Sequence, residues 1–86
     1  MRPVFYWQSS SGHEVVIFPN AERPSEWDFL VDGHPIGYGF YDAVDLAFRL
    51  SRHETGLPEW DEEFRRLKVP EELARWNSGC VPPDNA

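Results

Sequence analysis

Three histidines, each close in sequence to a carboxylate, are the residues of this 86-residue chain that come nearest to a chemical motif. The pairs are His13 and Glu14, Asp32 and His34, and His53 and Glu54. Adjacent residues of a strand or helix point in different directions, and no two strong ligands have the spacing that would place them on one helix face. We therefore expect the histidines at turns or helix ends in water, and we expect no metal or other cofactor.

No local motif indicates an enzyme. Ser9-Ser10-Ser11 suits a flexible hairpin tip and lacks the sharp strand-to-helix turn of a nucleophile elbow. Gly37-Tyr38-Gly39 precedes a predicted helix, but it lacks the third glycine and the lysine of phosphate-binding loops. Close packing of a helix or a partner explains these glycines better. We predict a protein that is not an enzyme, with catalysis by residues assembled from distant positions as the open alternative.

The charge of the chain disfavours phosphate-rich partners. Fifteen acidic residues stand against eight basic ones, for a formal net charge of −7. Such a chain is repelled by nucleic-acid backbones and anionic lipid. Cys80 is the only cysteine, which excludes an intramolecular disulfide and favours a reducing compartment. No apolar run reaches membrane-spanning length. We therefore predict a cytoplasmic protein that binds neither nucleic acid nor membrane.

The first half of the chain is patterned as two consecutive β-hairpins. Val4-Phe5-Tyr6-Trp7 and Val15-Val16-Ile17-Phe18 are rich in strand-forming residues and are separated by a serine- and glycine-containing loop. Residues 26–32 alternate between apolar and polar side chains, with Leu30 as the one exception. Asp32-Gly33 is a tight-turn signal before a fourth strand over residues 35–40. The pattern predicts a four-stranded, mostly antiparallel sheet.

The second half is patterned as helix. Asp42 suits an N-cap for a main helix over about residues 42–54, which Gly56 is expected to stop. Pro58 and Pro70 suit the starts of two shorter helices. We therefore predict a single α+β domain over residues 1–77, in the chain order ββββααα, followed by a disordered tail over residues 78–86.

The first hairpin is apolar on both of its faces. One set of alternating positions holds Phe5, Trp7, Val15 and Ile17, and the other holds Val4, Tyr6, Val16 and Phe18. The second hairpin has one apolar and one polar face, as antiparallel strands do when only one side is covered. Either the helices wrap around to both faces of the first hairpin, or one of its faces is an association surface.

These observations predict a small acidic binding protein that acts through protein contacts, as a homodimer or as an adaptor or inhibitor of a larger partner. The predicted contact residues are Tyr6, Trp7, Val16 and Phe18. Tyr6 and Trp7 point to opposite faces, so one of the two is the expected binding hot spot. In its general appearance the chain is similar to many small proteins of phages and mobile gene cassettes, although no motif identifies a family.

The alternative is a small-ligand-binding or enzymatic domain. Its pocket would lie between the sheet and the helices, with Tyr38, Tyr41 and Trp60 as aromatic lining. The sequence leaves the two functions open.

Overall fold

All neighbouring strands of the sheet run antiparallel in the computed structural model, which describes residues 2–23 and 25–81. Within those residues the strands are β1 (Arg2–Gln8), β2 (Glu14–Pro19), β3 (Trp27–Val31), β4 (His34–Phe40) and β5 (Asn77–Val81). The helices are α1 (Ala43–Arg52) and α2 (Pro58–Leu67), followed by one 3-10 turn, Leu73–Arg75. The predicted α+β class and antiparallel sheet are confirmed, and the detail differs.

The spatial order of the strands is β4-β3-β2-β1-β5. The first four strands form a meander, in which each strand pairs with the next along the chain. The helices then return the chain to the far edge, where β5 pairs with β1. β2 is consequently the central strand of the sheet.

The sheet has five strands rather than the predicted four. Residues 78–81, which we assigned to a disordered tail, belong to β5, and the third predicted helix is only a 3-10 turn. β5 is anchored by Trp76, which is buried and donates its indole N–H to the carbonyl of Pro70 at 3.0 Å. Residues 82–86, the rest of the predicted tail, lie outside the described residues.

A bulge in β4 explains one of the two glycines that flank Tyr38. Phe29 pairs with Ile36, but Trp27 pairs with Phe40, so β4 has two extra residues between the pairs. Gly39 has a φ of +73°, which favours glycine, and a Cβ at this position would lie 2.8 Å from a Glu26 carboxylate oxygen. We expected a helix or partner to pack against the glycines, but no such contact is found at Gly37.

Helix α1 begins where the sequence predicts, directly after the N-cap residue Asp42. The Asp42 side chain accepts a hydrogen bond from the backbone N–H of Val44 at 2.9 Å. At the other end His53 adopts the left-handed conformation and donates its N–H to the last carbonyls, so the helix ends before the predicted stop at Gly56. Pro58 begins α2, as predicted.

α1 and α2 pack on one side of the sheet. The strand residues beneath them, here called the covered face, are Phe5, Trp7, Val15, Ile17, Phe29 and Val31. Leu46, Leu50 and Phe64 are fully buried against this face. Ring contacts of 5.6 Å to Phe64 and 5.8 Å to Tyr38 centre the core on Phe29.

Candidate protein-binding surface

The strand alternation that fills the core also places a second apolar layer on the opposite side of the sheet. This layer, here called the open face, consists of Val4, Tyr6, Val16, Phe18 and Leu30. Within the described residues, none of the five belongs to the core cluster or packs against it, because both helices lie on the other side. The open face is an apolar surface that the described part of the chain does not cover with a helix.

Strand register brings the open face together as a contiguous patch. Tyr6 pairs with Val16, and Val16 pairs with Leu30, so these three side chains form a row across β1, β2 and β3. Val4 and Phe18 lie beside that row. At the β5 edge, a Cβ built on Gly79 would lie 3.7 Å from the Tyr6 ring and 3.9 Å from a Val4 methyl group, so the patch continues to the edge strand.

Polar residues border the patch at both ends of the strands. Gln8 pairs with Glu14 at one end, and the backbone N–H of Glu14 donates to the Asp32 carboxylate at 2.8 Å. At the other end the backbone N–H of Asn20 donates to the carbonyl of Glu26 at 2.9 Å. An apolar centre with a polar border is typical of a protein interface.

Three of the four predicted contact residues share the open face, and the fourth does not. Tyr6, Val16 and Phe18 lie together, and Tyr6 is the most exposed of them, at 39%. Trp7 lies on the covered face, half-buried against the core. Of the two candidate hot spots, Tyr6 is therefore the one that faces away from the helices.

The sequence reasoning did not assign Leu30 to this surface. In β3, Leu30 was the one residue that broke the alternation of apolar and polar side chains. Its pairing with Val16 explains the break, because a strand next to β2 must continue the same apolar layer. The apolar side chain of Leu30 at a position where alternation predicts a polar one was therefore a signal that the predicted contact surface extends from the first hairpin to β3.

The residues of the alternative pocket border two different cavities. Tyr38 and Tyr41 border a cavity of about 450 Å³ that also includes Asp28, whereas Trp60 borders one of about 440 Å³ beside His13. Tyr41 is 76% exposed. Tyr38 is tied into the structure instead, because its hydroxyl donates to the carbonyl of Thr55, and burial raises the pKa of the phenol.

The cavity beside Tyr41 contains a buried carboxylate that sequence reasoning missed. Asp28 is 5% exposed, and one of its oxygens accepts the backbone N–H groups of Tyr38 and Gly39, each at 2.9 Å. Its other oxygen accepts the side-chain amide of Asn20 at 2.9 Å. These three bonds hold the bulge of β4 and the loop after β2, so the geometry gives Asp28 a structural role.

The cavity beside Trp60 contains a histidine–carboxylate pair. His13 Nδ1 lies 2.8 Å from an Asp32 carboxylate oxygen, and both side chains are about half exposed. The backbone N–H of Glu14, together with the His13 ring, holds the pKa of Asp32 below its ordinary value. The sequence had paired Asp32 with His34, but the strand register brings it to His13.

The turn beside this pair brings a serine to the backbone of His13. A carboxylate can orient an imidazole for proton transfer. The Ser9 hydroxyl oxygen accepts the backbone N–H of His13 at 3.0 Å. Across residues 2–23 and 25–81, no group of three or more His, Cys, Asp or Glu side chains is arranged to hold a metal ion.

No helix in the described part of the chain is long and apolar enough to cross a membrane. In comparisons with known proteins, no family model, curated protein or solved structure matches this chain.

Proposed function

We propose that this chain is a non-catalytic binding protein that contacts another protein chain through the open face of its sheet. The observation that carries the proposal is the contiguous apolar row of Tyr6, Val16 and Leu30 on the side of the sheet opposite both helices. Antiparallel sheets with one solvated face normally alternate apolar and polar residues, with the polar side outward. The open face departs from that rule in the row of Tyr6, Val16 and Leu30.

Contact with a partner would explain why this apolar surface is exposed in the single chain. Contiguous apolar patches on small soluble proteins mark association sites, because exposing them to water costs free energy that contact with a partner recovers. Tyr6 is suited to the centre of such a contact, since its ring offers a large apolar area and its hydroxyl offers a hydrogen bond. Its 39% exposure leaves the ring accessible.

Site-specific photo-crosslinking in the cells that produce the protein tests the proposal. A benzophenone amino acid replaces Tyr6 on the open face or, as the control, Val44 on the outside of α1, where 58% of the residue is exposed. We expect covalent protein adducts from position 6 and none from position 44. Phe18→Glu in the position-6 protein should abolish those adducts, because it charges the same face.

The masses and peptide content of the adducts identify the class of partner. An adduct of about 20 kDa that yields peptides of this 10.0 kDa chain alone is two copies of it, and an adduct that yields peptides of another chain contains a different protein. Equal adducts from both positions, or adducts that persist after Phe18→Glu, would contradict the proposed surface. So would the absence of any adduct from position 6.

A further inference from the structure

We propose that the occupant of the open face is a second copy of this chain, packed sheet against sheet about a two-fold axis. This inference rests on the proposed function of the open face and adds the identity of the partner. It is carried by the area of the face, by its symmetry about β2 and by the distribution of acidic residues.

The face is large enough for a stable interface. Five strands about 4.8 Å apart, with roughly 3.3 Å per residue along each, make a sheet of about 20 by 20 Å. The flat projections of two copies sum to about 800 Å², and the relief of the side chains brings the buried area of the whole sheet face to roughly 1,000 Å², about the lower limit for a specific interface. The apolar row on β1, β2 and β3 is the centre of that area, and the polar residues around it form the rim.

The arrangement of the patch suits its own copy. Val16 lies on the central strand, with Tyr6 on one side and Leu30 on the other. A two-fold axis passing near Val16 consequently brings the apolar row of one copy onto that of the other. Two sheets of the same twist pack face to face about 10 Å apart, as the layers of β-sandwiches do.

The acidic residues of α2 favour this orientation. None of the five open-face residues is charged, although Glu14 and Asp32 lie at the border of the patch and Asp28, on the same side of the sheet, is buried. The acidic residues of α2, which are Glu59, Asp61, Glu62 and Glu63, belong to a helix on the other side of the sheet. Joining two copies through their open faces places the two α2 helices on opposite outer sides of the dimer, so their carboxylates do not approach one another.

The net charge also predicts how the dissociation constant of the dimer depends on salt. Each copy carries a formal charge of −7, so association brings like charges together. Salt screens this repulsion, and the dimer should become tighter as ionic strength rises. Binding of a basic partner protein would weaken under the same change, because salt screens attraction as well.

Sedimentation equilibrium of the purified full chain tests the inference. We expect a species of twice 10.0 kDa that dissociates on dilution and becomes more stable at high salt. Tyr6→Glu should raise the dissociation constant at least about tenfold, because it buries an unpaired charge at the centre of the contact. Val44→Glu adds the same charge on the outside of α1 and should leave the constant unchanged.

Gly79→Lys provides a second variant that removes no existing side chain. Gly79 does not have a positive φ, and its new Cβ would make only ordinary contacts with Tyr6 and Val4. The fold should therefore tolerate lysine, which thermal unfolding of the variant checks. The long charged side chain extends over the open face and should also weaken the dimer.

Two results would overturn the inference. One is a mass of 10.0 kDa at every concentration and at both low and high salt. The other is a dimer that Val44→Glu dissociates while Tyr6→Glu and Gly79→Lys do not. A monomeric chain that still crosslinks to a different protein from position 6 would refute self-association alone. A monomer without such crosslinks would refute the proposed function as well.

Discussion

The two faces of the sheet are built from the same strands and similar residue types, yet within the described residues helices cover only one of them. On the covered face Phe29 is fully buried, whereas Tyr6 on the open face is 39% exposed. β2 contributes to both layers, with Ile17 turned to the helices and Val16 turned away. Strand alternation therefore creates apolar layers, but the connections between elements decide which layer becomes the core.

The covered face obtains its stability from dense contact. Phe29 makes edge-type ring contacts with Tyr38, Trp60 and Phe64 at centroid distances between 5.6 and 6.3 Å. Such contacts add to the free energy of burial. The open face has no comparable set among the described residues, so its side chains should matter much more for association than for folding of one chain.

Phe29→Ala should therefore produce the largest effect. Removing a fully buried ring from the centre of the core should lower the free energy of unfolding by about 3–5 kcal/mol. Tyr6→Ala, on the open face, should cost the isolated chain under about 1 kcal/mol. Urea denaturation of dilute protein measures both values, and equal losses at the two positions would contradict the difference between the faces.

Asp28→Ala should have the next largest effect. Asp28 lies on the side of the open face but is buried, and its removal leaves the backbone N–H groups of Tyr38 and Gly39 without their acceptor. We expect a loss of about 2 kcal/mol in the free energy of unfolding. Asp28→Asn keeps one carbonyl oxygen and should lose less. If the two variants are equally stable, the hydrogen bonds do not hold the bulge as the structure indicates.

Tyr38→Phe should have a smaller effect that depends on alkaline pH. Loss of the hydrogen bond to Thr55 should cost about 1 kcal/mol at neutral pH. Because burial raises the pKa of Tyr38, folding favours the neutral phenol. Its contribution is complete below the ordinary pKa of 10.0 and is lost as pH rises through the higher folded pKa.

Denaturation of wild type and Tyr38→Phe at several alkaline pH values checks this direction. The stability advantage of wild type should shrink above about pH 10, because only the wild-type chain has the phenol at position 38. An advantage that grows with pH would mean that the ionised form is favoured in the folded state.

The local patterns explain why much of the fold was predictable. Alternation with a period of two and the Asp32-Gly33 turn signal located β1 to β4, and the Asp42 cap and Pro58 located the starts of both helices. These features depend on residues close in sequence. Alternation also assigned the apolar residues of the first hairpin to its two faces. One of these faces holds three of the predicted contact residues, Tyr6, Val16 and Phe18.

The features that were missed depend on contacts between distant residues. The sequence Asn77-Ser78-Gly79 has little strand propensity, and it becomes part of β5 because it pairs with β1 at the other end of the chain. Alternation alone could not decide whether Tyr6 or Trp7 faces the helices, since both sets are apolar. The contact of His13 with Asp32 likewise required the register of β2 and β3.

Asp32→Asn should have the smallest effect, confined to the polar border of the open face. Asparagine also tolerates the φ of 50° found at Asp32. The bonds from Glu14 and His13 lower the pKa of Asp32, so the ionised form favours folding above its ordinary pKa of 3.8. This contribution is lost as pH falls through the lower folded pKa.

Thermal unfolding of wild type and Asp32→Asn between about pH 2 and pH 7 measures this contribution. The melting temperature of the variant should be slightly lower near neutral pH, and the two curves should converge in acid. Glu22→Gln removes one exposed negative charge elsewhere and controls for net charge. A difference that widens as pH falls would show that protonated Asp32 is the form that folding favours, contrary to the hydrogen bonds its carboxylate accepts.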